Sequence, residues 1–206
     1  MVVRIFEWGA YMNKKEEIIS KTTELFSERG YHLTILEVAN KVNLKPPSIY
    51  SHFKNKEELI EKVVLDEIEN YFTFLNIQVE YLEDNIKHGF KEFLEKFFWS
   101  ILGYFNNDND KLRFWYHVLL IDNAELKEKC KGAIFEKETI YIKSLINIFK
   151  IAANQNQIDK SFHEGHVFLF GTMIHGILNS LFMCRNLIDL PASKTWNAYW
   201  DSIKVK

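Results

Sequence analysis

The 206-residue chain is 47% apolar and 26% charged, near the averages of folded soluble chains, which excludes intrinsically disordered and fibrous classes. Twenty-six basic against 28 acidic residues leave a net charge of −2, so no global basic field announces nucleic acid and no acidic excess announces a solvating tail. Eight glycines and three prolines, about 5% of the chain against a usual ~12%, together with 15% aromatics, predict long helices around an aromatic interior.

Residues 1–11 share no periodicity with the first helical stretch after them, and they lack the layout of a secretory signal. The codons of Trp8, Gly9 and Ala10 read TGGGGNGC, which contains a purine-rich ribosome-binding sequence if Gly9 is GGA. The expectation is that translation begins at Met12 and that residues 1–11 are a mis-assigned or disordered extension. The alternative is a genuine short extension in which Phe6 and Trp8 pack as a tail.

From Lys14 to Arg29, Ile18, Ile19, Thr22, Leu25 and Phe26 form the stripe of an amphipathic helix that Gly30 ends. Thr34 suits an N-cap, and Ile35, Val38, Ala39 and Val42 continue at helical spacing for about two turns. Pro46 fits the first turn of a further short helix, Pro46 to His52, because its missing N–H would be unbonded there anyway. Asn55 then caps a long helix running to about Leu82, whose early acids match the positive end of its dipole.

Two short helices joined by a tight turn and backed by a preceding helix make a helix-turn-helix pattern over residues 12–64. Its charge supports that reading, since Lys41, Lys45, Lys54 and Lys56 stand in sixteen residues without one Asp or Glu. Residues 12–64 sum to +1 and residues 65–206 to −3, so local basicity is hidden by the total. A solvated lysine-rich loop is the bland alternative. Ile49, Phe53, Leu25, Phe26, Val38, Ala39 and Leu59 are assigned to a small core.

The run from Ile18 through Val64, with LFSERGY and TILEVANKVNLKPPSIYSHFKNKEEL, resembles the DNA-binding domain of the TetR/AcrR family of transcriptional regulators. The core Ile49-Tyr50-x-His52-Phe53-x-x-Lys56-Glu57-x-Leu59 carries the resemblance. Three departures stand out: Asn43 replaces the usual Gly, Lys45 replaces the usual Ser or Thr cap, and the loop from Gly30 to Thr34 is about one residue short. Asn tolerates a left-handed backbone. Lys45 cannot cap the next helix, though Pro46 partly compensates.

The resemblance implies that Pro46 to His52 reads bases. Pro46, Pro47, Ser48 and Ser51 would then face the major groove, with Lys45 the best candidate for a guanine edge and the prolines for thymine methyls. Tyr50, His52, Lys54 and Lys56 suit phosphates, with the helix N-termini at Thr34 and Asn55 adding backbone N–H groups. Tyr50 has a core alternative, His52 a capping or solvated one, and Lys54 a solvated one.

The remaining residues, 65–206, read as a second, all-helical unit, making the whole chain all-α. Helices are expected over Asn85–Phe105, about Lys111–Asp122, Ala124–Asn154, Phe162–Asn186 and Ser193–Val205, with Pro191 separating the last two. By resemblance this unit is a helical bundle for ligand sensing and dimerisation. Phe98, Trp99, Phe105, Trp115, Tyr116, His117, Tyr141 and His175 supply rings and polar handles for a mostly apolar or planar small molecule, and for each a plain core role is the alternative. Thr172, Gly176 and Ser180 form a small-x-x-x-small stripe assigned to a homodimer contact, with intramolecular burial as the alternative. Two recognition helices about 34 to 36 Å apart would read a pseudo-palindromic double-stranded operator.

Other chemistries have little support. Val167 to Cys184 is uncharged and 18 residues long, enough to raise a membrane span, but it carries Thr172, His175, Gly176, Asn179 and Ser180. His163-Glu164-Gly165-His166 lacks the helix-spaced zinc pattern, and Cys130 and Cys184 are too far apart for a metal knuckle or a disulfide framework, which suits the cytoplasm. No phosphate-cradling glycine loop, nucleophile elbow or cofactor motif occurs, so the expectation is no enzyme, no metal and no cofactor. A DNA-bound adaptor that recruits a protein instead of sensing a small molecule remains the rival reading.

Overall fold

A computed structural model describes residues 13–86, 89–106, 109–161, 164–183 and 189–205. The N-terminal extension with its Met12 start, His163 and Cys184 lie outside these residues. The described residues fold into nine α-helices and one 3-10 turn: α1 (Lys14–Arg29), α2 (Ile35–Lys41), α3 (Pro46–Tyr50), α4 (Lys56–Asn85), α5 (Phe90–Asn106), α6 (Asn109–Leu119), α7 (Ala124–Asn154), α8 (Gly165–Met183) and α9 (Asp189–Ile203).

Caps fix the N-terminal helices. Asn13 accepts from the Lys15 N–H and its own N–H donates to Glu16, a reciprocal capping box that starts α1. Thr34 and Glu37 repeat the box at α2. Between α2 and α3 the chain turns through Asn43 at φ 54, the left-handed backbone that Asn supplies in place of Gly. Lys45 makes no side-chain cap, and Pro46 opens α3. The helix α3 ends at Tyr50, two residues before the expected His52: the amides of His52 and Phe53 both return to the Ile49 carbonyl, closing a turn that drops Phe53 into the core. All seven residues assigned to that core are buried.

The helix α4 is one element of 30 residues, three longer than its pattern suggests, and it passes unbroken through position 64. Its buried residues, from Leu59 to Leu82, run through one contiguous hydrophobic core, from its small N-terminal part into its larger part. The break expected near Asn85 falls later, and α5 starts at Phe90 instead. Gln157 holds that corner, accepting from the Phe90 N–H at 2.7 Å and donating to the Ile86 carbonyl at 2.7 Å, while Gly89 takes φ 136. The helix α6, by contrast, starts earlier than expected, at Asn109, and stops at Leu119. Pro191 does not separate α8 from α9; it sits inside the first turn of α9, where a missing N–H breaks no helical bond.

The larger part of the core is aromatic. Phe98 stacks on Trp196 at 5.4 Å, and Phe90 meets Phe149 edge-on at 5.0 Å. Among the described residues α8 alone is long and apolar enough to cross a membrane by length and composition. It packs against α5, α6, α7 and α9, burying Val167, Phe170, Ile174 and Leu181.

Candidate functional site

Lys45, Pro47, Tyr50, Ser51 and Lys54 are exposed around α3 and the turn after it, while Pro46, Ser48, His52 and Lys56 are half-buried. Tyr50 is 51% exposed, which removes its core alternative. Each lysine of the carboxylate-free strip has its own setting. Lys41 lies 3.8 Å from Glu28, and the Lys56 ammonium sits 4.9 Å from the centroid of the Tyr31 ring. Lys45 and Lys54 form no ion pair among the described residues. The Ser51 hydroxyl donates to the Ser48 carbonyl at 2.7 Å.

The two N-termini are partly engaged by their own acids. The Thr34 N–H and hydroxyl both donate to the Glu37 carboxylate, at 2.8 and 2.9 Å, and those bonds hold Glu37 below the usual carboxylate range. The Lys54 N–H donates to Glu58 at 2.6 Å. Thr34 is therefore first a cap, and a phosphate approaching it meets the Glu37 carboxylate.

This unit is clamped to the rest of the chain along α1. The helix α6 lies against α1, bringing Phe114 to 4.8 Å from Phe26 and the His117 ring onto Gly30. A Cβ built at Gly30 would stand 2.5 Å from His117 Nδ1, so only glycine permits this approach, and its φ of +59 requires glycine as well. Burial first, then the charge of His32, lowers the His117 pKa, while a hydrogen bond to the Ser27 backbone raises it. Asn123 donates to the Tyr31 hydroxyl at 2.9 Å, and Lys129 and Lys137 of α7 pair with Glu61 and Glu69 of α4 at 2.8 and 2.5 Å.

The eight residues expected at an effector do not converge on one cavity. Phe98, Phe105 and Tyr141 are buried among other rings. Trp99 lines an open groove of about 670 Å³ with Phe74, Lys96, Ser100, Gly103, Tyr104 and Lys111. Trp115 packs 5.1 Å from Tyr71, whose hydroxyl is raised by burial, and its buried Nε1–H has no acceptor among the described residues. Tyr116 instead ties α6 to α8, donating to Asn179 and stacking on Phe182 at 3.8 Å. His117 belongs to the α1 seam, because three residues after Phe114 the helix still presents the α1-facing side. His175 is exposed on α8, on the same outer face as Thr172, Gly176 and Ser180.

On that face the Thr172 and Ser180 hydroxyls donate to carbonyls of their own helix, and a Cβ at Gly176 would meet nothing within 4 Å. Phe168, Leu169 and Met183 are exposed beside them, so the stripe is not buried within the chain. Sequence reasoning missed the groove and the Gly30 seam. Lys96, Trp99, Ser100 and Gly103 do carry a signal, the i, i+3, i+4, i+7 spacing of one helix face.

Residues 18–63 match the family model for bacterial regulatory proteins of the tetR family. Over 90 residues the chain is 38% identical to the biofilm operon icaADBC HTH-type negative transcriptional regulator IcaR of Staphylococcus epidermidis, a match covering 42% of this chain and 46% of that regulator. The chain thus spans about half the length of this curated relative. Among solved structures, a protein of Mesorhizobium loti described as a TetR-family transcriptional regulator superposes with a TM-score of 0.71 at 20% identity, over 93% of this chain and 97% of that one. The transcriptional regulator FadR of Bacillus subtilis, in complex with stearoyl-CoA, superposes with a TM-score of 0.64 at 20% identity, over 89% and 96%. These likenesses establish a shared all-α fold with an N-terminal helix-turn-helix unit.

Proposed function

We propose that residues 18–63, which match the family model for bacterial regulatory proteins of the tetR family, form a DNA-binding domain, and that the chain is a cytoplasmic, homodimeric, non-enzymatic repressor released from double-stranded operator DNA by a small molecule. The observation that carries the reading is the sixteen-residue strip from Lys41 to Lys56, free of carboxylates and folded as a tight turn and a short helix with Lys45, Tyr50 and Lys54 outward. Lysines of this kind neutralise phosphates, and the few hydrogen-bonding side chains on α3 leave base readout modest. The negative sign of regulation is supported by the likeness to IcaR.

A homodimer contact on the outer face of α8 is supported by Thr172, Gly176 and Ser180, which leave room for a second helix between exposed apolar neighbours. A two-fold dimer mirrors a pseudo-palindromic site. Sensing is supported by the groove beside Trp99. An effector seated there touches α4, α5 and α6. Because α6 abuts Gly30 and Phe26, a shift of α6 or α4 changes the seating of the DNA-binding unit. The effector must bind the released conformer better than the DNA-bound one, or it shifts nothing.

Selection of binding sites from random-sequence DNA tests this reading. The expected result is enrichment of a pseudo-palindrome whose affinity falls steeply with salt, bound by a dimer in native mass measurements. Recovery of no sequence, or a monomer at micromolar concentration, sinks it.

A further inference from the structure

The groove beside Trp99 has a particular chemistry. Lys96, Trp99, Ser100 and Gly103 share one face of α5, and Phe74 of α4, Tyr104 of α5 and Lys111 of α6 complete the lining. Its walls are rings: Phe74 and Tyr104 lie 4.7 Å apart, and Tyr71 backs Tyr104 at 5.3 Å. Its volume of about 670 Å³ matches that of sites for one drug-sized molecule. The charged side chains in the lining are both cations. The Lys111 ammonium sits 3.8 Å from the Tyr104 ring centroid, and Lys96 pairs on its outer side with Glu92 at 2.8 Å. Glu67 accepts from the Tyr104 hydroxyl at 2.9 Å and is not part of the lining.

A purely apolar molecule laid over these rings would take the Lys111 ammonium, which no carboxylate pairs among the described residues, out of water with only the Tyr104 ring beside it, which is costly. A cation would be repelled. Resting on the effector-sensing reading above, we infer that the groove binds an amphipathic organic anion, its apolar body against Phe74, Trp99 and Tyr104 and its carboxylate or phosphate on Lys96 and Lys111. An acyl chain and a fused aromatic system fit the ring walls equally well. This sharpens the effector from mostly apolar to apolar with an acidic head.

The test uses the full chain without DNA and reads tryptophan fluorescence and calorimetry, with Trp99 in the groove as reporter. The probes are 2-naphthoate against 2-naphthamide and dodecanoate against dodecanol, each pair sharing a body and differing in charge. A partly exposed ion pair contributes up to about fivefold in affinity, so two together give an acid roughly a tenfold advantage over its neutral counterpart. The expected result is that advantage for at least one pair, reduced to about twofold in the K96M/K111M double variant. Both lysines reach solvent, so the variant keeps the fold, as an unchanged melting temperature checks. Equal binding of acid and neutral probe, binding of neither acid below about millimolar concentration, or a preference that survives the double substitution overturns the assignment. Operator release is measured separately on the same samples: a lysine-dependent acid that leaves operator affinity unchanged refutes the sensing reading and not the site.

Discussion

Gly30→Ala tests the seam between the N-terminal helix-turn-helix unit and α6. Gly30 has φ 59 and ψ −143, a combination essentially closed to residues with a Cβ, and occupying it costs about 1–3 kcal/mol. The added Cβ also stands 2.5 Å from His117 Nδ1, so the imidazole or α6 must retreat by about 0.9 Å to reach the 3.4 Å of ordinary contact. Overpacking of this kind costs about 1–3 kcal/mol more. The expected loss is therefore roughly 2 to 6 kcal/mol, read by urea unfolding, or about 4–24 °C in Tm at ~2–4 °C per kcal/mol for a chain of this size. His117→Ala in the same chain removes the clash and leaves the backbone strain. The double variant should then be more stable than the sum of the single effects predicts, by about 1–2 kcal/mol. A Gly30→Ala chain within about 0.5 kcal/mol of the parent, or single effects that add within about 0.5 kcal/mol, would refute the contact as the reason for glycine.

Three further outcomes are expected. Lys54→Ala should weaken operator binding evenly across sequences and lower the slope of log affinity against log salt by about one unit; an unchanged slope makes Lys54 a merely solvated residue. Thr34→Ala removes the cap of α2 and should cost about 1 kcal/mol in urea unfolding while letting the Glu37 pKa rise back toward its ordinary value. His117 is held below its ordinary pKa of 6.5, so the unfolded chain takes up its proton first as pH falls. Its contribution to stability is complete above about pH 6.5 and is lost below it. Thermal melts from pH 7.5 to 5.5 should show a decline that His117→Gln reduces, and an identical decline in the variant excludes His117 as its source.

Much of the N-terminal unit is legible because its signals are local. Thr34 and Asn55 cap the helices they precede, Pro46 opens α3, and Asn43 takes the left-handed turn. The misplaced boundaries have distant causes. Asn85 belongs to α4 because Gln157, over 70 positions away, holds the corner after it. Pro191 reads as a separator in sequence, yet a proline in a first turn is compatible with the helix it begins. His117 reads as a ligand handle because nothing near it in sequence announces Gly30. The α5 face of Lys96, Trp99, Ser100 and Gly103 is written in the sequence as a helical spacing. The phenylalanines interleaved with it, which fill the core from the opposite side, obscure it.

The unbroken passage of α4 through both parts of the core makes it a lever. Thirty residues at 1.5 Å each span about 45 Å, with Asn55 and the turn proposed to face DNA at one end and the corner held by Gln157 at the other. A tilt of about 5° around the far end carries the near end through ~4 Å, about one base-pair step of ~3.4 Å. Phe74 lies roughly a third of the way along from the Gln157 corner, so for a pivot at that corner a displacement of only about 1.5 Å beside it is enlarged to that ~4 Å at the N-terminal end without any hinge inside α4.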